Sequence, residues 1–377
     1  MILDLDHSNW ERVSFGDVVR NVNEYFDADR DGVLPYVAGP HVEPGELKPT
    51  FGSTDDVDFP PTFKRMFIEG DVLLHSRGIG KLAVVDRHGV TGEKLFVLRS
   101  KDARLAQRFL PFLMLSRSAQ RHMAENFTGS VNKFLNWKPL ADFQFDLPPL
   151  DEQHLIADFL WATEKDSIAA KNTDRALNSV LDRVVEGWWS THPLVPIGRI
   201  AKCVTGTTPP KANQAFWDSH DVGFLTPSEV GSLFAQPPRQ WMSEAGTMRA
   251  RVLEKNSVAV VCIGGSLGAT SVLPFGCTTN QQLTCLVGLE ADDALLAAVL
   301  LRSRGGQREI QARETTTIVR KLNKSDLEKV VLPWPDGATR RQLAANLQAL
   351  ISAIDAAAAR SRTDRELRAA FTMGVLN

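Results

Sequence analysis

The chain has 377 residues, 43% of them hydrophobic, and a formal net charge of -2. That length supports two or three domains with their own cores. No apolar run approaches the 18 residues of a membrane span, and the N-terminus MILDLDHSNW lacks the basic start of a secretory signal, so a soluble, cytoplasmic protein is expected.

In chain order, residues 1–149 read as a first α+β unit. Trp10-Glu11-Arg12-Val13-Ser14-Phe15-Gly16-Asp17-Val18 opens it, and Phe67-Ile68-Glu69-Gly70-Asp71-Val72-Leu73-Leu74 reads as a turn entering a buried strand. The glycine turn Arg77-Gly78-Ile79-Gly80-Lys81 follows, then Thr91-Gly92-Glu93-Lys94-Leu95 leads into another strand. A helix is expected over Ala103 to Arg121, packed on a mixed, partly rolled sheet. The unit ends with Phe134-Leu135-Asn136-Trp137-Lys138-Pro139-Leu140 and a strand-like run closing in LPPLDEQ, Leu147 to Gln153.

Residues 150–190 read as one long helix without an internal Pro. Ile156, Leu160, Thr163, Ser167, Ala170, Asp174, Leu177, Leu181, Val184 and Trp188 recur in steps of three and four, forming a seam for a partner helix. At 1.5 Å per residue it runs roughly 55 Å, longer than a domain core needs, so it separates or joins other parts.

A second unit, residues 191–337, repeats the first with a period near 186 residues. Leu194-Val195-Pro196-Ile197-Gly198-Arg199-Ile200 answers the first opening. Val252 to Val260 answers Phe67 to Leu74, and Gly264-Gly265-Ser266-Leu267-Gly268 answers the glycine turn. Thr279-Asn280-Gln281-Gln282-Leu283 and Lys321-Leu322-Asn323-Lys324-Ser325-Asp326-Leu327 complete the series, with a packed helix expected from Asp292 to Arg302. The run Val331 to Gln342 (VLPWPDGATRRQ) then enters a second long helix, residues 338–377. Leu343, Leu347, Leu350, Ile354, Ala357 and Ser361 repeat the seam, and Leu367 and Phe371 continue it slightly out of step. A duplicated frame with divergent units suggests two different ligands read at a fixed separation.

The glycine turn followed by Thr279-Asn280-Gln281-Gln282, the run Lys321 to Leu327, and LPPLDEQHLIADFL entering a long helix resemble the specificity subunit of type I restriction-modification enzymes over nearly the whole chain. The resemblance implies two target-recognition domains of α+β fold separated by two long antiparallel coiled-coil helices. Each domain would read one half of a bipartite, asymmetric double-stranded DNA sequence. Adenine methyltransferase subunits would dock along the helices, and a motor-nuclease restriction subunit would join them. The subunit itself would be non-catalytic and hold no cofactor.

Charge bears on that implication. Lys plus Arg against Asp plus Glu number 18 and 21 over residues 1–150, 4 and 8 over 151–190, 15 and 13 over 191–337, and 6 and 3 over 338–377. Only the second half is basic, whereas a duplex binder needs several cations for phosphates. Local clusters supply candidates. Arg302, Arg304, Arg308, Arg313, Arg320, Lys321 and Lys324 face only Glu309 and Glu314 in sequence, and the first unit offers Arg77, Lys81, Arg117, Arg121, Lys133 and Lys138. For base edges, which take paired hydrogen bonds, Arg77, Lys81, Ser266, Gln281 and Gln282 are candidates. Gln282, in the framework run, serves equally well to close a turn.

No catalytic constellation emerges. Arg77-Gly78-Ile79-Gly80-Lys81-Leu82-Ala83 fits GxGxxA but leads into Val84-Val85 rather than a helix. There is no GxxxxGKS/T, no Asp or Asn before Pro-Pro-Tyr/Phe, and the eight histidines are scattered. Glu164, Asp166 and Asp174 read as a solvated helix face. Cys203, Cys262, Cys277 and Cys285 form no CxxC pair, so they read as reduced, mostly buried thiols rather than a zinc site or disulfide framework. Two readings stand: a DNA-recognition subunit, or an adapter whose duplicated domains and helices bind proteins without sequence-specific DNA contact.

Overall fold

Runs such as Val72-Leu73-Leu74 and Val258-Ala259-Val260-Val261 are apolar at every position, as strands buried on both faces require. In the computed structural model, which describes residues 7–217, 219–316 and 319–375, these runs are the inner strands of two equivalent sheets. Residues 1–6, at the N-terminus read for a signal, lie outside the described residues. No described helix is long and apolar enough to cross a membrane.

The chain divides into two units, Met1–Asn172 with Ala357–Asn377, and Thr173–Ala356. In the first, an antiparallel sheet has the order Val19–Asn21, Leu95–Ser100, Val72–His75, Leu82–Val84. A second sheet has the order Gly52–Ser53, Pro35–Val37, Gly89–Thr91, Arg65–Phe67, with its two middle strands parallel. Glu11–Ser14 pairs with Gln144–Leu147. These form head 1.

Head 2, in the second unit, follows the same plan. One sheet runs Lys202–Thr205, Leu283–Val287, Val258–Val261, Thr270–Val272. The other runs Gln240–Met242, Val222–Leu225, Cys277–Thr279, Val252–Leu253, again parallel in the middle, and Leu194–Pro196 pairs with Val331–Pro333. The duplication read from weak sequence matches is thus a duplication of strand order and register.

Period-two alternation sends each inner strand into two cores. Val72 and Leu74 join Phe109, Phe112, Leu140 and Phe145 on the helical side, while Leu73 joins Val37, Phe67 and Val97 between the sheets. Head 2 does the same: Val258 and Val260 face the helices, and Ala259 and Val261 face Leu253, Cys277 and Leu283. All four cysteines are free and buried.

The central helix spans Leu150–Thr191 and the C-terminal helix Gly337–Val375. They run antiparallel. In the first unit Phe159 meets Phe371 with centroids 4.7 Å apart, and Ser167 Oγ lies 3.3 Å from Ser361 Oγ. In the second, Leu181 and Val185 share a core with Leu347 and Ile351. Ile156 and Leu160 are fully buried in the core of head 1, and Trp188 and Leu347 lie in that of head 2, with Leu343 packed against it. Leu177 and Ile354 are half-buried. Much of the seam is therefore covered by the chain's own heads.

Three expectations are corrected. The seam passes through Glu164, Val185 and Arg368 rather than Thr163, Val184 and Leu367; Val184 and Leu367 are 43% and 46% exposed. A straight helix drifts from a repeat picked out by apolarity alone. Glu164 is not on a solvated face: it is buried and ion-paired to Arg368. The helix expected over Ala103 to Arg121 is two, Leu110–Leu115 and Arg117–Glu125, because extended Ser116 ends one and caps the next by accepting from Ala119 N at 3.2 Å.

Leu160 and Leu347 occupy equivalent places, one in each head. Truncating either to Ala should cost about 2–5 kcal/mol, measured by urea unfolding of the full chain. Equal losses would reflect the shared frame, and no loss at one site would refute its core position.

Candidate nucleic-acid interface

The sequence-expected cations of head 1 come from three segments that the fold brings together. The glycine turn 76–81 follows the inner strand, and Leu135 N donates to Ser76 O at 2.7 Å, tying segment 128–139 to the turn. Gly80, with φ +66°, sits against Gln120, so that an added Cβ would lie 3.7 Å from Gln120 Nε2. His122 Nε2 donates to Pro139 O at 2.7 Å, tying the Arg117–Glu125 helix to segment 128–139. Arg77 and Lys81 lie on the first segment, Arg117 and Arg121 on the helix, Lys133 and Lys138 on the last.

Among the described residues none of these six cations has a carboxylate within 4.0 Å, whereas Arg12, Arg30, Lys48, Arg87, Arg99, Arg104 and Arg108 of the same head are paired. Lys94 joins the cationic group, since its carbonyl accepts from Ser76 N and Oγ at 2.8 and 2.9 Å. It was missed because the adjacent Glu93 cancels it in a linear count.

Head 2 repeats the frame with other side chains. Leu322 N donates to Cys262 O at 2.8 Å, Gln307 Nε2 to Gly268 O at 3.0 Å, and Gly264 N to Arg320 O at 3.1 Å. Ser303 caps Arg304–Gln311 as Ser116 caps its counterpart, so Arg117 and Arg304 follow equivalent caps. The charges differ, however. Arg313 pairs with Glu309 at 2.7 Å, Arg320 with Glu314 at 2.7 Å, Lys324 with Glu328 at 3.6 Å, and Arg308 with Glu186 at 3.3 Å. Arg302 turns inward and donates to Thr270 O at 2.9 Å. Of these seven candidates, Arg302, Arg304 and Lys321 have no carboxylate within 4.0 Å among the described residues. Four of the seven cations named for this surface are thus held by carboxylates, three of them near in sequence and one, Glu186, on the central helix.

Ser266 is exposed in the turn, and Gln281 is exposed after strand Cys277–Thr279, accepting from Thr208 Oγ1 at 2.6 Å. Gln282 closes the turn: its backbone N donates to Asn280 Oδ1 at 3.0 Å, its Oε1 accepts from Asn280 Nδ2 at 2.9 Å, and its Nε2 reaches Ile263 O at 3.4 Å. Among the described residues no cluster of three His, Cys, Asp or Glu could hold a metal. Exposed cations and amide groups around a rigid glycine turn can grip phosphates and meet base edges.

His75 carries an electrostatic signature of this surface. Its Nδ1 accepts from Arg77 N at 3.0 Å, which requires an unprotonated Nδ1. Burial, followed by the charges of Lys81, Lys94 and Arg77, pushes its pKa down to about 4. Between the ordinary imidazole value and about 4 the unfolded chain binds the extra proton, so this contribution to stability is lost as pH falls through that window. An NMR titration should place the His75 midpoint near 4, and a midpoint at an ordinary value would show that the turn is open to solvent.

The family model for the type I restriction modification DNA specificity domain matches residues 7–177. The S subunit of a type I restriction-modification system from M. genitalium is 12% identical, with a TM-score of 0.65 over 100% of this chain and 99% of that one. A chain from a structure addressing complex assembly and conformational transition of the type I R-M system is 17% identical, with a TM-score of 0.56 over 97% of this chain and 98% of the other. At such identities the likeness speaks for the fold. Residues 7–177 thus belong to the type I restriction modification DNA specificity domain family, and the chain as a whole has the fold of type I restriction-modification S subunits.

Proposed function

We propose that the chain is the non-catalytic DNA-reading subunit of a type I restriction-modification enzyme acting in the cytoplasm. Residues 1–149 and 191–337 each read one half of an asymmetric bipartite duplex sequence. Residues 150–190 and 338–377 set the separation and receive adenine methyltransferase subunits, with a motor-nuclease subunit completing the enzyme. The observation that carries this reading is the contrast on a shared frame: one strand order and one turn–helix–segment surface bear unpaired cations in head 1 and mostly paired ones in head 2. Readers of unlike half-sites need a common scaffold with different side chains. Fixed spacing suits B-DNA, whose faces recur about every 34 Å, and two continuous helices supply stiffness that a flexible linker lacks.

The ion-paired cations on this surface of head 2 support weak binding by the isolated subunit, with its partners supplying much of the phosphate grip. Arg117→Ala and Arg121→Ala should weaken duplex binding about equally for all sequences, and each should lower the salt slope by about one. Fluorescence anisotropy across a salt series measures this, and unchanged slopes would remove these residues from the interface.

Mapping modified adenines in cells carrying or lacking the gene tests the reading as a whole. Replacing residues 11–146 with another head should change one half of the motif and leave the other intact. A change in both halves would contradict independent heads, and the absence of any bipartite motif would favour the adapter reading.

A further inference from the structure

Head 1 is joined to the long helices at a second place besides its apolar core. Glu164 of the central helix and Arg368 of the C-terminal helix, each only 5% exposed, form an ion pair. Both continue into the head's own loop: Arg368 Nη2 donates to Gly45 O, and Leu47 N donates to Glu164 Oε1 at 3.3 Å. Lys171 reaches Glu46 at 2.5 Å. The loop is in turn stitched to the inner sheet, since Val84 N donates to Leu47 O at 2.7 Å.

The internal duplication provides a control. In head 2 the loop residue answering Leu47 is Leu233, whose carbonyl accepts from Val272 N at 2.8 Å. The helix positions answering Glu164 and Arg368 are Ile351 and Leu181, both apolar. There the loop carbonyl of Gly231 is taken by Arg302 of the same head, and a cavity of about 270 Å³ lined by Leu181, Leu233, Arg302 and Ile351 occupies the place of the ion pair. At this loop head 1 is bolted to the helices by charge-assisted bonds, whereas head 2 keeps the equivalent loop bonds to itself; its own charged ties to the helices, Arg308 with Glu186 and Arg340 with Asp293, lie elsewhere along them.

A buried pair contributes little net stability over an apolar pair of similar volume, whereas its hydrogen bonds are directional. Stability therefore gives no reason for the difference between the heads, and geometry does. With only the contact around Ile156, Leu160 and Phe371, head 1 would have one place of attachment about which to rock. With Gly45, Glu46 and Leu47 also held, it has two.

We infer that Glu164 and Arg368 are positioning residues that fix the reading surface of head 1 at one angle to the helical pair, and so determine how strictly the gap between half-sites is enforced. This rests on the DNA-reading function proposed above. The test grafts the head 2 solution onto head 1: Glu164→Ile with Arg368→Leu, carried with the native partner genes, followed by mapping of modified adenines and thermal unfolding of the purified full chain. The expected result is a preserved unfolding midpoint and unchanged half-site sequences, with modification spreading to neighbouring gap lengths. A stable double variant that keeps the single wild-type gap overturns the inference. Should it not fold, Lys171→Met, which removes only the outer bond, must show a smaller spread, and an unchanged gap distribution there overturns it equally. Failure of the wild-type chain to yield any bipartite motif would instead count against DNA reading itself.

Discussion

The arrangement depends on apolar contacts that each head makes with the long helices. Ile156, Ala157 and Leu160 enter the core of head 1 together with Phe109 and Phe112, and Val185, Trp188 and Leu347 enter that of head 2 with Leu296 and Leu300. Full burial of side chains of this size stabilises by about 1.5–3 kcal/mol each, so a helix cannot slide along its head without opening a core. The helices are structural members of both heads before they are anything else, and that ties the placement of each reading surface to the helical register.

On this frame the two heads have been finished differently. The inner strands, the glycine turn and the serine-capped helix recur with matching hydrogen bonds, as in Leu135 N to Ser76 O and Leu322 N to Cys262 O. What varies is which charges meet a partner. Arg308 is drawn to Glu186 on the central helix, and Arg320 is held by Glu314 through both Nε and Nη2, while Arg117 and Arg121 stay unpaired among the described residues. Surface electrostatics of this kind is set by a few side-chain contacts outside the cores, so it can diverge between copies without cost to either core.

That distinction explains what was legible beforehand. The period near 186 residues, the long helices and the strand runs are carried by local pattern, and pattern survives weak identity. Gln282 was legible equally as a base reader and as a turn brace, and its bonds to Asn280 and Ile263 favour the brace. Glu164 and Arg368 could not be recognised at all, because each reads as a solvated charge until its partner, 204 positions away, is in place. Arg308 is a milder case of the same kind, its partner Glu186 lying 122 positions away.

The cysteines carry a practical consequence. All four belong to head 2 and all are buried; burial pushes Cys203 and Cys277 up to about 12, Cys262 up to about 11 and Cys285 well above its ordinary value. Thiolate chemistry is therefore suppressed throughout the folded chain. A single cysteine placed at Val131, which is 89% exposed in head 1, would be the preferred target of a maleimide dye. The wild-type framework could thus carry a fluorophore beside its cationic surface without first being stripped of its own sulfur.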